Sequence, residues 1–450
     1  MDILTFKENL FAKGAELGFS DMELYFQKNG KFSTKIYKGD VDSYNLSIEG
    51  GVSFRGIYEG QIGYAYTEKI DEESTSFLVE EAKENLSIID SEDREVIFAG
   101  SDQYGELDLY SDELAKVTAD EKIELLKKVE SECFVLSEKI SSVNYCLLES
   151  HDSEKMIANT KGLEKREKGN VVYIFVSVVA KEGEDIKSAS KLVLTRDLSA
   201  FDPKAIAKEV VEEALSTLGA TSIKSGDYPI ILKNKAAASL LQVFSSAFSA
   251  DNVQKGKSRL ANKLEEAIGN SLITIVDDPF MEDGFMSRSF DSEGVATKRL
   301  NVVEQGVLKT YLHNLKTAAK DNVASTGHGT KGSYKGTITV APSNLFIEPG
   351  EKSYDEMVAG EEEAVIITDL QGLHSGANAI SGDFSLAANG YLVKGGKIER
   401  PINQITVAGN FFTMLEQVEV VGGDLKFGLP AGGYVGSPSL KVKSLAVAGE

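Results

Sequence analysis

The sequence predicts an α+β protein: an N-terminal α/β sandwich-like domain with antiparallel sheets, then a large β-rich, barrel-like domain with a few helices. Three observations carry this reading. Amphipathic helical segments alternate with strand-like segments over residues 1–220. Charge and composition shift near residues 219–227, and glycine-punctuated strand segments dominate residues 221–450. The chain has 41 glycines but only eight prolines, which fits tight turns between strands rather than disordered linkers.

Taken in order, residues 3–18 set Ile3, Leu4, Phe6, Leu10, Phe11 and Leu17 largely on one helical face. Five alternating segments follow: Glu23–Gln27, Phe32–Tyr37, Ser43–Ile48, Val52–Tyr58 and Gln61–Tyr66. Gly30, Gly50-Gly51 and Gly60, with Asp40 in one turn, predict an antiparallel meander. Asp71 reads as the N-cap of a helix to about Leu86. Asp90–Asp112 is acidic and irregular, and a long helix runs from about Asp120 to Leu136. Strands near 142–150, 170–180 and 188–195 predict a second sheet, and Asp202–Leu218 a further helix. Beyond the boundary, Tyr228–Leu232 is a buried strand and Lys235–Phe248 an apolar helix. Strands are then expected at 271–276, 295–303, 307–312, 336–341, 363–368, 390–399, 403–407 and 440–447.

Net charge is −22 over 450 residues. Residues 1–220 hold 26 Lys+Arg against 44 Asp+Glu, and residues 221–450 hold 22 against 26. With no basic stripe, such a surface repels phosphate backbones, so no direct nucleic-acid binding is expected. Lys161–Lys168, interrupted by Glu164 and Glu167, is a solvated turn. Gly422-Gly423 and Gly432-Gly433 lack the Lys-Ser/Thr of a phosphate loop. Cys133 and Cys146 read as buried small hydrophobes rather than a disulfide framework. No stretch reaches the ~20 apolar residues of a membrane span, and the N-terminus lacks the order of a signal peptide, so a cytoplasmic location is expected.

Several segments in shared order resemble one family. They are Phe290-Asp291-Ser292-Glu293-Gly294-Val295, Gly306–Leu312, Thr326-Gly327-His328-Gly329, Asn344–Gly350, Ser381-Gly382-Asp383-Phe384-Ser385, Ile405–Asn410 and Val435–Leu440. In the first half, Val52–Gly56 with Gly63-Tyr64-Ala65 resembles the family's paired strands. The chain is identified by these as a member of the TldD/PmbA family, of the PmbA (TldE-like) type. The resemblance implies a system in which TldD-type members hold a metal on an H-E-x-x-x-H helix plus a distant cysteine and trim peptides or unfolded chains. PmbA-type members lack that set and pair with TldD-type subunits. The family is associated with peptide-antibiotic maturation, and the label of DNA gyrase modulator describes an indirect effect.

Zinc hydrolysis needs about three N, S or O ligands and an open position for water. Matching flanking residues puts the corresponding helix at Leu240–Ala250, with Leu241 and Ser246 in the histidine positions and Gln242 in place of the general-base glutamate. No histidine lies between His151 and His313, and no cysteine follows Cys146. Leu, Gln and Ser neither grip zinc nor take a proton from water. No metal and no cofactor are expected, and the helix reads as a packing element.

His328, His374 and Asp383 offer donors for a different metal site, and His374 with Asp383 offers a base for Ser375, Ser381 or Ser385; sequence spacing enforces neither. A further reading makes the glycine-rich 372–383 segment the border of a peptide-binding cleft, drawing on His328, His374, Ser375, Gly376, Ser381, Gly382 and Asp383. The plain alternative is that these glycines only make turns. His313 reads as a structural partner. Three functions stay open. The first is a metal-free subunit supporting a TldD-type metallopeptidase that acts on peptides or unfolded polypeptides, forming a symmetric or pseudo-symmetric dimer that lines part of the peptide channel and pairing with itself when alone. The second is a self-sufficient homodimeric peptide-binding module. The third is an independent hydrolase using His374 and a nearby serine.

Overall fold

A computed structural model describes residues 1–87, 96–430 and 432–450. The part of the Asp90–Asp112 reading that falls on residues 90–95 lies outside the described residues.

The N-terminal half is one twisted antiparallel sheet with helices against it. Helix α1 (Ile3–Glu16) is capped by Asp2 and buries Phe6 and Leu10. Strands β1 (Met22–Tyr37), β2 (Asp40–Tyr58) and β3 (Gln61–Thr67) then form two hairpins. Helix α2 (Glu72–Glu84) starts at the Asp71 cap, with Glu72 and Glu73 in its first turn where the helix dipole favours anions. After α3 (Asp112–Lys116), α4 (Ala119–Leu136) opens on a capping box of Thr118 and Glu121. Strands β4 (Ile140–Asn159), β5 (Glu164–Glu182) and β6 (Asp185–Thr195) and helix α5 (Pro203–Ser216) complete the half.

Two expectations are corrected here. The five short segments are three long strands, because Gly30 and Gly50-Gly51 lie inside β1 and β2 rather than in turns. The hairpin turn before Asp40 is Lys38-Gly39, both at positive φ. A side chain at Gly51 would strike the Thr67 carbonyl and the Tyr334 ring at 2.5 Å, so glycine there permits a close approach. The second sheet does not exist as a separate unit: β4 pairs with β1 over thirteen residue pairs, giving the order β3-β2-β1-β4-β5-β6. Two clusters pack on this sheet. Phe6, Leu24, Phe54 and Leu78 belong to one, and Leu126, Cys133, Cys146, Val176 and Val210 to the other. Both cysteines are free and buried, and burial pushes the Cys133 thiol up to about 12.

The C-terminal half contains β7 (Gly226–Leu232), α6 (Asn234–Phe244), α7 (Ala250–Gln254), β8 (Ile275–Asp277), β9 (Leu300–Glu304), β10 (Val307–Leu308) and α8 (Leu315–Asp321). The ribbon β11 (Gly329–Thr330) and β12 (Thr339–Val340) is followed by β13 (Asn344–Ile347), α9 (Tyr354–Ala359), β14 (Glu363–Gln371) and α10 (Leu373–Gly376). Then come β15 (Asp383–Lys394), β16 (Lys397–Asn410), α11 (Phe411–Glu416), β17 (Val418–Val421), β18 (Lys426–Phe427), β19 (Tyr434–Ser437) and β20 (Leu440–Ala448). Strands β16-β15-β14-β7-β20 close into a five-stranded barrel through the β16–β20 pairing, with β17 beside β20. A second sheet runs β10-β9-β8-β13-β19-β18. The strand expected over 390–399 is instead a hairpin, since Gly395 and Gly396 at positive φ turn β15 into β16. No described helix is long and apolar enough to cross a membrane.

Candidate functional site

Helix α6 sits between the barrel and the second sheet. Its sequence, Asn-Lys-Ala-Ala-Ala-Ser-Leu-Leu-Gln-Val-Phe, presents Ala237, Leu240, Leu241 and Phe244 to one cluster shared with Leu232, Val365, Ile275 and Leu345. Phe244 stacks on Phe411 with ring centroids 4.6 Å apart. Leu241 is 0% exposed. Gln242 is half-buried, and its Nε2 donates to the Leu429 carbonyl at 3.3 Å. Ser246 is exposed on a 3₁₀ turn, Ser245–Phe248, that interrupts the helix, and its carbonyl accepts from Asn252 Nδ2 at 2.8 Å. A metal fitted here would meet a hydrocarbon side chain in the core, an amide and an exposed hydroxyl on separate turns. The residues do not fit a zinc ion or a water-activating base. Among the described residues no group of three or more His, Cys, Asp or Glu side chains is placed to hold a metal.

The glycine-rich segment is the β14–β15 connection at one end of the barrel. His374, Ser375 and Asp383 are exposed, Ser381 and Gly376 are half-buried, and Gly382 is buried. Gly372 and Gly382 lie at positive φ, and a side chain at Gly376 would meet the Ser385 carbonyl at 2.4 Å. Much of the backbone bonds within the loop: Gly376 N donates to Gly372 O at 2.7 Å, Asn378 N to Asp383 O at 2.8 Å and Gly382 N to Asn378 O at 2.9 Å. Asp383 accepts from Asn410 Nδ2 at 2.8 Å, which holds its carboxyl below the usual range, and Ser375 Oγ donates to Gly372 O at 3.2 Å. The Ser381 carbonyl accepts from Arg259 Nη1 at 3.2 Å.

His328 is elsewhere. It is buried between β11 and the start of β13, with Nδ1 2.8 Å from Thr326 Oγ1 and Nε2 3.1 Å from Asp277 Oδ1. Asp277 also accepts from the Ser343 backbone N–H at 2.8 Å and from the Ser343 hydroxyl. Burial alone would raise this carboxyl, but the His328 ring, the Ser343 hydroxyl and Arg288 outweigh it and hold it below the ordinary range. Both ring nitrogens of His328 are therefore engaged, and it shares no hydrogen bond with His374 or Asp383. His313 is also buried, and its carbonyl accepts from the backbone N–H of Thr326 and His328. Burial pushes its ring below the ordinary histidine value.

Sequence reasoning missed a third place. A cleft of about 450 Å³ opens between β2 and β3 on one side and α7, Asn314–Thr317 and Thr337–Val340 on the other. Arg55, Tyr64, Glu293 and Lys331 line it. Arg55 is ion-paired with Glu23 at 2.8 Å, both nearly fully buried. Lys331 Nζ donates to Ser53 Oγ at 3.1 Å and lies over the Tyr25 and Tyr64 rings at 4.8 and 5.2 Å. Asp291 and Glu293 share a tight turn. Asp291 accepts backbone N–H groups from Glu293, Val295 and Gly329, whereas Glu293 accepts one from Leu315. Burial first, and Asp291 beside it second, push Glu293 up to about 8, and burial raises Asp291 as well, so the two carboxyls hold a proton between them. Arg55 and Glu293 lie in quoted motifs, Val52–Gly56 and Phe290–Val295; a charge flanked by apolar residues in a strand or tight turn was the available signal.

Family models match along the chain: PmbA/TldA metallopeptidase domain 1 over residues 22–86, the central domain over 112–218 and the C-terminal domain over 225–449. An uncharacterized protein of Methanocaldococcus jannaschii is 31% identical, covering 91% of this chain and 93% of that protein. Metalloprotease PmbA of Escherichia coli O157:H7 is 25% identical, covering 90% and 88%. The crystal structure of a Thermotoga maritima protein, described as a proposed modulator of a DNA gyrase, superposes with a TM-score of 0.92 at 34% identity, covering 99% and 100%. Motifs, fold and matches agree over nearly the whole length: this chain belongs to the PmbA/TldD metallopeptidase family.

Proposed function

We propose that this chain is the metal-free, PmbA/TldE-like subunit of a TldD-type metallopeptidase system acting in proteolysis and peptide maturation in the cytoplasm. One observation carries the proposal. The helix that would bear the metal instead gives Leu241 wholly to the core, an amide at Gln242 and a hydroxyl at Ser246 on a 3₁₀ turn. Such a chain contributes to peptide hydrolysis through a partner that keeps its ligands. In this reading residues 1–220 and 221–450 act as two units, and the partner is a TldD-type subunit. The 372–383 loop, with His374, Ser375, Gly376, Ser381, Gly382 and Asp383, borders the path of an extended peptide. His328, bonded to Thr326 and Asp277 away from this loop, is the least direct of the proposed peptide-path residues.

Co-expression with the TldD-type chain of the same source tests the reading. A stable complex that degrades unfolded substrates faster than the TldD-type chain alone supports it. Absence of a complex, with equal turnover by the TldD-type chain alone, refutes it. An independent hydrolase gains no geometric support: Asp383 is bonded to Asn410 and Ser375 to Gly372.

A further inference from the structure

The cleft that β2 and β3 share with α7 and Asn314–Thr317 is cationic, in a chain whose net charge is −22. Arg55, Lys255, Lys316 and Lys331 line it against Asp251 and Glu293. Lys255 and Asp251 neutralise each other at 2.7 Å. Glu23, which pairs with Arg55, is not part of the lining. Burial raises both Asp291 and Glu293, and the proton they hold between them makes them oppose an anion less than two ionised carboxylates would. Arg55 and Lys331 are only 6% and 7% exposed, so water screens their charge poorly and an entering anion feels it strongly.

A neutral donor faces the same space. Asn314 lines the cleft and is 5% exposed. Its side-chain oxygen caps α8, accepting from the Thr317 backbone N–H at 2.8 Å and from the Thr317 hydroxyl at 2.9 Å. Its amide Nδ2 donates to no described residue. A buried donor without an acceptor is costly, and an anion in the cleft supplies one. Leu315, Ile338 and Val340, all half-buried, add an apolar wall. The volume of about 450 Å³ falls within the roughly 300–1,000 Å³ of small-molecule sites. A phosphate dianion would leave the apolar wall uncovered; a singly charged acid with a hydrocarbon tail covers it and meets the donors.

We propose that this cleft is a binding site for a small monocarboxylate with an apolar tail, its carboxylate held by Arg55, Lys331 and the Asn314 amide and its tail laid on Leu315, Ile338 and Val340. The guanidinium fork and the ammonium suit a carboxylate, and the hydrocarbon wall selects what is attached to it. A free acid and the C-terminal residue of a peptide share this chemistry.

Isothermal titration calorimetry on the full chain tests this with N-acetyl-leucine, the tripeptide Ala-Ala-Leu and the C-terminal amide of that tripeptide. Both acids are expected to bind, and the amide at least tenfold more weakly than its acid. Tighter binding of the tripeptide than of N-acetyl-leucine assigns the site to a peptide terminus, and equal or weaker binding assigns it to a free acid. Asn314→Asp keeps the capping oxygen of α8 and exchanges only the donor for an acceptor, so it is expected to lose affinity at least tenfold with an unchanged circular dichroism melt. Lys331→Met is expected to lose as much, its melt checking that the buried substitution is tolerated. No binding of either acid, equal affinity for acid and amide, full affinity in Asn314→Asp, or displacement of the acids by inorganic phosphate overturns the proposal. Binding is read on the chain alone, so failure here leaves the support role, which concerns a TldD-type partner, untouched.

Discussion

Helix α6 and the His328 network are both buried in the C-terminal half, yet they are built on opposite principles. Around α6, Leu241 and Phe244 are fully enclosed in a dry core, while Gln242 is half-buried and Ser246 exposed. Around His328, an equally buried carboxylate, imidazole and hydroxyl are retained, each satisfied by the next. Burying polar groups without partners costs several kcal/mol, so a helix face without polar partners is stable in the core only as hydrocarbon. The polar network is complete, and it ties the β8–β13 junction together.

Breaking the network should have the largest effect. Asp277→Ala leaves His328 and the Ser343 groups buried without their acceptor, and urea unfolding should show a loss of about 3–5 kcal/mol. A loss under 1 kcal/mol would mean that the network is solvent-compensated. Next, Leu241→Ala should cost about 2–5 kcal/mol by opening a cavity, read by the same method. A near-neutral result would show that the α6 face is not a packed core and would weaken the contrast.

Glu293 sharpens the comparison by pH. Its folded value of about 8 stands above the ordinary carboxyl value of 4.5. The folded state therefore keeps a proton that the unfolded chain releases, and stability is fully present below about 4.5 and falls as pH rises towards 8. Glu293→Gln removes this loss, so the variant should gain stability relative to wild type between pH 6 and 9 in thermal melts. Parallel curves would contradict a protonated Glu293. The smallest effects belong to the exposed loop: His374→Ala and Ser375→Ala should change stability by less than about 0.5 kcal/mol. Weaker binding of an extended peptide by these variants, measured by fluorescence anisotropy, is what the proposed path requires.

Much of the architecture was legible before the coordinates. The Asp71 cap, the long helix through Leu126 and the apolar helix at Leu240 all follow from local periodicity and capping, which need no tertiary partner. What stayed hidden was non-local. Nothing near Phe26 announces that it pairs with Met156 in one continuous sheet. Gly51 reads as a turn because glycine's use for close packing looks the same in sequence as its use for positive φ. Strands such as Asn344–Ile347 and Tyr434–Ser437 are short and bordered by Gly, Ser and Pro, and their pairing comes from neighbours far along the chain. At the candidate sites, that Leu241, Gln242 and Ser246 are poor zinc ligands was readable from residue types alone. The Asp277 partner of His328 and the Arg55–Glu293 cleft were not, because they join segments more than 50 residues apart.

Zinc titration of the purified chain, followed by peptidase assay with and without chelator, tests the central claim most directly. The account predicts no stoichiometric zinc at α6 and no chelator-sensitive turnover by the chain alone. One tightly bound zinc per chain, lost on substituting Gln242 or Ser246 and required for turnover, would contradict it.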